Sequence, residues 1–391
     1  MIHSTETNEK LSSGAILLSR PEDVSVGAWP ANAELARNYL TRIAAIGAQQ
    51  LISNVQTKSL VLRDGNFAVP LTVNETEYTN TYVCSPYTAF ALYSKAEMRL
   101  LENTLLRSSL GVLVDLLGTA MKVGQINKMV QVNNWMFSTN LYDPVWQPDI
   151  DNLTKLITQQ YPDHFICFRS LNEWSNSQLL TKLRAAGYTL IASRQVYIYE
   201  DLESSWRPHK NVQHDLRLLR KTKYSVVYNN QILETDYGRM AELYDLLYRQ
   251  KYPEYNPAFT PEFIRHSHEI GLLHYQGLRN GNGVLDGVVG MFRVGDVTSA
   301  PIVGYDIALS QKLGLYRLLI TLIFLTATKE KCAVNLSSGA ASFKRLRGGA
   351  PIIEYSAVYD KHLSPVRRAM LQSIAGPVNK IGIPLLQKLK L

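Results

Sequence analysis

Apolar positions change period several times along the chain, and each change marks an element. Residues 31–52 set Leu35, Tyr39, Ile43 and Ile46 on one helical face. From residue 58 the pattern alternates. Ser59-Leu-Val-Leu-Arg-Asp-Gly-Asn-Phe-Ala-Val-Pro-Leu71 reads as a hairpin turning at Asp64-Gly65. Alternation at 74–83 predicts a further strand, and 94–129 is helical with interruptions near Gly111 and Gly124. A loop of Asn, Ser, Thr and aromatics follows at 135–146, then a helix over 149–161 and a buried strand over 163–169. A helix over 178–186 stops at Gly187, where a left-handed cap is wanted, and a strand over 188–199 closes the first half.

After a linker at 201–209, a basic helix over 211–221 carries His214, Asp215, Arg217 and Arg220 and leads into a strand over 224–228. Met240, Leu243, Tyr244 and Leu247 give 236–251 an amphipathic helix. A loop rich in proline and tyrosine at 252–261 precedes a short helix over 261–270. Strands over 272–279 and 285–293 flank a Gly281-Asn-Gly283 turn. The most regular stretch runs from 298 to 359: strand, Gln311-Lys-Leu-Gly-Leu-Tyr316 turn, apolar helix to about residue 331, short strand, basic glycine-rich segment, and a last strand from Pro351 to Tyr359. Each half ends in helix then strand, which suggests a duplicated α/β unit, although no repeat is visible in the residues themselves. The expected division is a flexible tail at 1–30, a first unit at 31–204 and a second at 205–391.

Length favours two domains over one core. The composition, 46% hydrophobic and 19% charged, is that of a globular protein. Tyrosine outnumbers phenylalanine 22 to 10, which suits half-wet clefts. Three widely spaced cysteines without metal-ligand spacing fit a reducing compartment. The first fourteen residues lack the basic-then-apolar order of a signal peptide, and the apolar run at 313–327 is short for a bilayer, so a cytoplasmic location is expected. The net charge of +8 is uneven: 342–391 carries +7 and 205–225 carries +5. Such patches point to anionic partners at defined places or to solvated helix faces.

Strand, glycine turn and helix N-terminus at 305–317 form a combination suited to phosphate, because the first helical turn leaves N–H groups without intrahelical partners at a positive dipole end. Lys312 and Arg317 are candidates for phosphate contacts or for solvated cations. Lys344, Arg345 and Arg347 form a second candidate anion site. Asp306 either faces an acceptor or caps a turn, and Glu354 is either a general base or a paired structural carboxylate. Glu354 and Tyr355 are adjacent on one strand, so at most one of them faces a given cleft. His266-Ser-His268 has the wrong spacing for shared metal ligation, and Ser338 lies outside any Gly-x-Ser-x-Gly elbow.

The order of elements in the second half, with Gln311-x-x-Gly314-x-Tyr316 between strand and helix, resembles the GNAT acyltransferase superfamily. Its pyrophosphate signature is Gln/Arg-x-x-Gly-x-Gly/Ala; Gln311 and Gly314 match, and Tyr316 stands where Gly or Ala is usual. Ser342-Phe-Lys344-Arg-Leu-Arg347-Gly348, followed by an apolar strand with Glu354-Tyr355, is similar to the C-terminal segment of the tandem-GNAT subgroup that contains the FemABX peptidyltransferases and the BioF2-like acetyltransferases. The resemblance implies an α/β fold with mixed sheets in two tandem GNAT-like units, the second binding the donor. It implies Gln311, Lys312, Gly314, Leu315, Tyr316, Arg317 and Lys344 as donor contacts and Asp306, Glu354 and Tyr355 as catalytic. The implied activity is transfer of an acyl group from an acyl-CoA thioester to an amine on a small or lipid-linked molecule. Alternatives are an aminoacyl-tRNA donor, with tRNA as partner, and a non-catalytic binding protein on the same fold. The basic, apolar residues 362–391 either lie on an anionic membrane surface or pack on the domain.

Overall fold

The computed structural model describes residues 16–98, 104–251 and 254–389. Its strands are β1 (Ile16–Ser19), β2 (Lys58–Asp64), β3 (Phe67–Asn74), β4 (Met129–Val132), β5 (Phe165–Leu171), β6 (Thr189–Tyr199), β7 (Ser225–Val227), β8 (His274–Arg279), β9 (Leu285–Val294), β10 (Val297–Tyr305), β11 (Ala333–Asn335) and β12 (Ala350–Tyr359). All twelve join one mixed sheet in the order β1-β2-β3-β4-β5-β12-β6-β11-β10-β9-β8-β7. Two neighbouring pairs are parallel, β4 with β5 and β10 with β11, and each is bridged by a helical crossover as a parallel connection requires. The class is therefore α/β with a mixed sheet.

The last strand travels far from its sequence neighbours. β12 lies between β5 and β6, antiparallel to both, and β6 pairs on its other edge with β11. The sheet runs unbroken across residues 204 and 205. Helices cover both faces. Glu173–Ala186 and Ile150–Gln160 pack on one face of the first half, while Thr104–Val123 and Pro365–Pro377 pack on the other. In the second half Leu315–Lys329 lies on one face, and Asp236–Asp245 and Pro261–Glu269 lie on the other.

Several expectations require correction. Residues 16–30 do not form a tail: β1 pairs with β2, and Val24 and Trp29 are in the core, while residues 1–15 lie outside the described residues. The strand expected over 74–83 is irregular beyond Asn74. The Asn74 and Asn80 amides both donate to the Gln56 carbonyl, replacing a ladder with side-chain bonds. β4 falls at the end of a stretch expected to be helical, because four residues are too few to register a period. The expected helix over 31–52 is broken at Gly47, whose φ of 85° ends Glu34–Ile46. The 94–129 and 252–261 expectations fall partly on residues 99–103 and 252–253, outside the described residues. The C-terminal helix runs on through Gly376, Pro377 and Pro384, from Pro365–Pro377 through Val378–Gly382 to Ile383–Leu389. Leu371, Ile374 and Ala375 bury against the first half of the chain.

Candidate functional site

The parallel pair β10–β11 is in register only over Val297–Ser299 and Ala333–Asn335. Beyond Ser299, β10 bulges at Ala300-Pro301 and continues to Tyr305 paired only with β9. Pro301 has no N–H to give a ladder, so the bulge is where the chain tolerates it. β11 ends at Asn335 and turns away through Leu336–Ala340. A V-shaped gap opens between the two strands, with Ala300, Val303 and Tyr305 on one wall and Leu336, Ser337 and Gly339 on the other.

This gap is one end of a cleft of about 540 Å³ that crosses the sheet past β6, β12 and β5 to β4. At its middle lie Glu354 of β12, Arg194 of β6 and Arg169 of β5. Both flanking strands are irregular at this level. Glu354 opposes Arg194 and Tyr355 opposes Ala192, so Ser193 is extra, and its hydroxyl donates to the Glu354 carbonyl at 2.9 Å. On the other side Tyr355 opposes Leu171 and Ala357 opposes Phe168, so β5 also carries an extra residue, with Ser170 at φ 63°. Bulges re-aim side chains. Here they accompany two arginines lining the same cleft.

Glu354 has a side chain only 4% exposed. Arg194 grips it with both forks, Nε to Oε1 at 2.7 Å and Nη2 to Oε2 at 3.2 Å. Arg194 Nη2 also donates to the Ser138 carbonyl and to Thr139 Oγ1. Arg169 donates to the Val83 carbonyl at 2.8 Å and to Asn134 Oδ1 at 3.2 Å, two neutral oxygens. Tyr82, Tyr93 and Tyr248 complete the middle of the cleft, and burial raises the Tyr82 hydroxyl above its usual range.

The sequence-predicted residues divide. Glu354 lines the cleft, and Tyr355 points to the opposite face, where burial raises its pKa and Glu173 is a nearby charge. Tyr355 is thus kept out of the cleft by strand alternation. Asp306 is absent from the cleft walls. Its carboxylate accepts from Arg239 Nη2 at 2.7 Å and from the Ala308 amide, and the Arg239 hydrogen bond holds it below the usual carboxylate range. It is a turn and ion-pair residue.

Gln311, Lys312 and Leu313 form a single 3-10 turn, and Gly314, at φ 67°, delivers the chain into the Leu315–Lys329 helix. A Cβ at Gly314 would lie 2.6 Å from Leu218 Cδ2, so the basic helix Lys210–Lys221 packs directly on this turn. Gln311 and Lys312 are exposed and Leu315 is buried. Tyr316 does line the cleft, its ring edge-on to Phe343 with centroids 4.9 Å apart.

The two proposed anion contacts behind this turn are committed elsewhere. Arg317 Nε donates to Asp215 Oδ1 at 2.6 Å and Arg347 Nε to Asp215 Oδ2 at 2.5 Å, with the Asp215 side chain 3% exposed. Arg347 also stacks on Phe343 and is nearly buried. Lys344 is a clamp. Its ammonium donates to the carbonyls of Leu336, Ser337 and Ser338 at 2.6, 3.2 and 2.7 Å, and so shapes the wall of the V. Burial, with Arg194 adding, pushes its pKa down to about 7, while the three carbonyl acceptors favour the charged ammonium. A basic glycine-flanked run looks the same in sequence whether its cations meet phosphate or backbone oxygen.

Arg169, Arg194 and Tyr82 were not anticipated from the sequence. The available signal was a lone cation in each of two buried strands, Phe165–Leu171 and Thr189–Tyr199, which ordinarily requires a partner. Among the described residues no cluster of His, Cys, Asp and Glu could hold a metal, and no helix is long and apolar enough to cross a membrane.

No family model matches the chain, and no curated protein does. Solved structures do resemble it. The L-PGS structure from Bacillus licheniformis aligns over 58% of this chain and 77% of its own with 14% identity and a TM-score of 0.44. FemX aligns over 58% and 78% with 8% identity and a TM-score of 0.44. A tandem GNAT protein from the clavulanic acid biosynthesis pathway covers 88% of this chain and 98% of its own, with 10% identity and a TM-score of 0.38. The similar structures thus include a tandem GNAT protein and FemX, the two groups whose motifs the sequence resembles. At these identities and TM-scores the likeness carries no argument about activity. The functional reading rests on the cleft.

Proposed function

We propose that the protein is an N-acyltransferase that takes its acyl group from an acyl-CoA-type thioester and passes it to an amine. The observation that carries this reading is the V between β10 and β11. It opens beside the first turn of the Leu315–Lys329 helix and leads into the cleft holding Glu354. The phosphates of the donor would meet the helix N-terminus near Gly314, and its thioester arm would lie along the free edge of β10. The amine nitrogen would attack the thioester carbonyl, forming the C–N bond as the C–S bond breaks. Glu354, held by Arg194, would take the amine proton directly or through water, and the departing thiolate would take up a proton from water and leave as the thiol. Removal of one general base typically costs 10²–10⁴-fold in rate.

Calorimetric titration with acetyl-CoA and longer acyl-CoAs tests donor binding, and Gly314→Glu should abolish it by filling the turn and repelling phosphate. Thiol release with a panel of amines then tests transfer. Glu354→Gln should lower kcat at least about 100-fold with little change in donor KM. Failure of every thioester to bind would overturn the reading, and ribonuclease-sensitive copurification of tRNA would turn it toward an aminoacyl-tRNA donor.

A further inference from the structure

Beyond Glu354 the cleft changes character. Its far end is walled by Met121, Ile126, Met129, Ile191, Leu371 and Ile374, contributed by three separate parts of the chain. Each is 4% exposed or less, yet each faces the cleft rather than closing it. Among the described residues, the charged side chains that line the cleft are Arg169, Arg194, Lys251, Lys344 and Glu354, and none of them is among the residues that wall this end. Beside it the Cys167 thiol is pushed up to about 12 by burial and is therefore neutral. The roof is formed by the Thr104–Val123 and Pro365–Pro377 helices. They pack so tightly that a Cβ on Gly124, just past the first helix, would lie 2.8 Å from Met370 Cβ.

The depth of this chamber follows from β12, which carries Glu354 at the middle and Val358 at the apolar end, both lining the cleft. Four residues of strand advance ~13 Å. That is the reach of about ten C–C bonds in an extended chain. On the neighbouring strand β6, Arg194 opposes Glu354 and Ile191 opposes Ser356, between the levels of Glu354 and Val358, and both line the cleft.

We infer that the apolar end of the cleft holds a straight hydrocarbon chain, which joins the reacting centre at Glu354 and belongs either to the acyl donor or to the amine. The assignment rests on the acyl-transfer reading for the chemistry at Glu354 but not for the chamber itself. Burial of each methylene tightens binding about fourfold. Affinity should therefore climb along the series of acetyl-, hexanoyl- and dodecanoyl-CoA and then level off near the length of the chamber. Val358→Phe and Ile191→Phe, with melting temperatures checked, should each lower the ratio of dodecanoyl- to acetyl-CoA affinity by roughly 30-fold, the equivalent of two or three methylenes expelled.

The arms of the experiment separate the sources. A rise in donor affinity with chain length places the chain on the thioester. A flat donor series with a steep fall in KM from butylamine to decylamine, acetyl-CoA being the donor, places it on the acceptor. If acetyl-CoA binds and neither series depends on length, the hydrocarbon assignment is overturned while the transfer reading stands. If no thioester binds, titration with dodecanoate decides independently: binding that Val358→Phe weakens keeps the chamber and discards the transfer reading, and no binding discards both.

Discussion

Asp215 offers the sharpest test of how the turn at 311–314 is held. Its carboxylate, 3% exposed, joins three segments distant in sequence: its own helix, the first turn of the Leu315–Lys329 helix through Arg317, and the 341–348 segment through Arg347. Asp215→Asn keeps the shape and removes the charge. The two partners should not weigh equally. The Arg317 side chain is 40% exposed and can turn to water, so its loss contributes at most ~1 kcal/mol. Arg347 is 8% exposed and would be left as a buried guanidinium without a counter-charge, beside a neutral amide, the Phe343 carbonyl and the Phe343 ring. Breaking such a pair from one side costs about 3–5 kcal/mol. Unfolding entropy near ~2.1 cal/mol/K per residue converts 3 kcal/mol into a drop of about 4 °C for a chain of this length. Calorimetric melting of Asp215→Asn and of Asp215→Leu/Arg347→Met checks both the size and the cause. The double variant should recover most of the loss, because an apolar pair replaces the ion pair. A shift under ~1 °C for Asp215→Asn, or a double variant worse than the single, would refute the assignment of the cost to a stranded Arg347 charge.

Gly348→Ala should be far more damaging than its size suggests: φ is 90° and the new Cβ would lie 1.6 Å from the Ser205 carbonyl oxygen, so soluble expression and the melting temperature should both collapse, by more than ~3 kcal/mol. Acid should weaken the fold through histidines that are buried or half-buried. Burial lowers the pKa of His164, His266 and His362 alike, so just below the ordinary value of 6.5 the unfolded chain binds more protons than the folded one. Stability is fully present above 6.5 and falls as the pH drops toward the folded values. The urea midpoint should accordingly be lower at pH 5.5 than at pH 7. His362→Gln, which retains a donor for the His164 carbonyl, should flatten part of that slope.

Much of the architecture is legible in the residues because it is local. The hairpin at Asp64-Gly65, the stop at Gly187, the strand pair around Gly281-Asn-Gly283 and the strand–turn–helix from Ser299 to Lys329 all appear where period and turn chemistry put them. Each is decided within a dozen residues by burial on one face and by which residues accept a left-handed φ. The four-residue β4 and the asparagine-tied segment after Asn74 were not legible, one because it is too short to carry a period and the other because its pairing partners are side chains.

What the tertiary structure alone decided concerns partners across the chain. Sequence placed Glu354 and Tyr355 on one strand and allowed only one of them into a cleft; the insertion of β12 between β5 and β6 selected Glu354 and set it against Arg194, 160 residues away. The same folding consumed the basic run at 344–347, giving Lys344 three carbonyls and Arg347 a carboxylate. The physical reason is that periodicity records whether a side chain is buried, whereas the role of a charge depends on which opposite charge or dipole burial brings against it. That is set by long-range strand order, which no local pattern encodes.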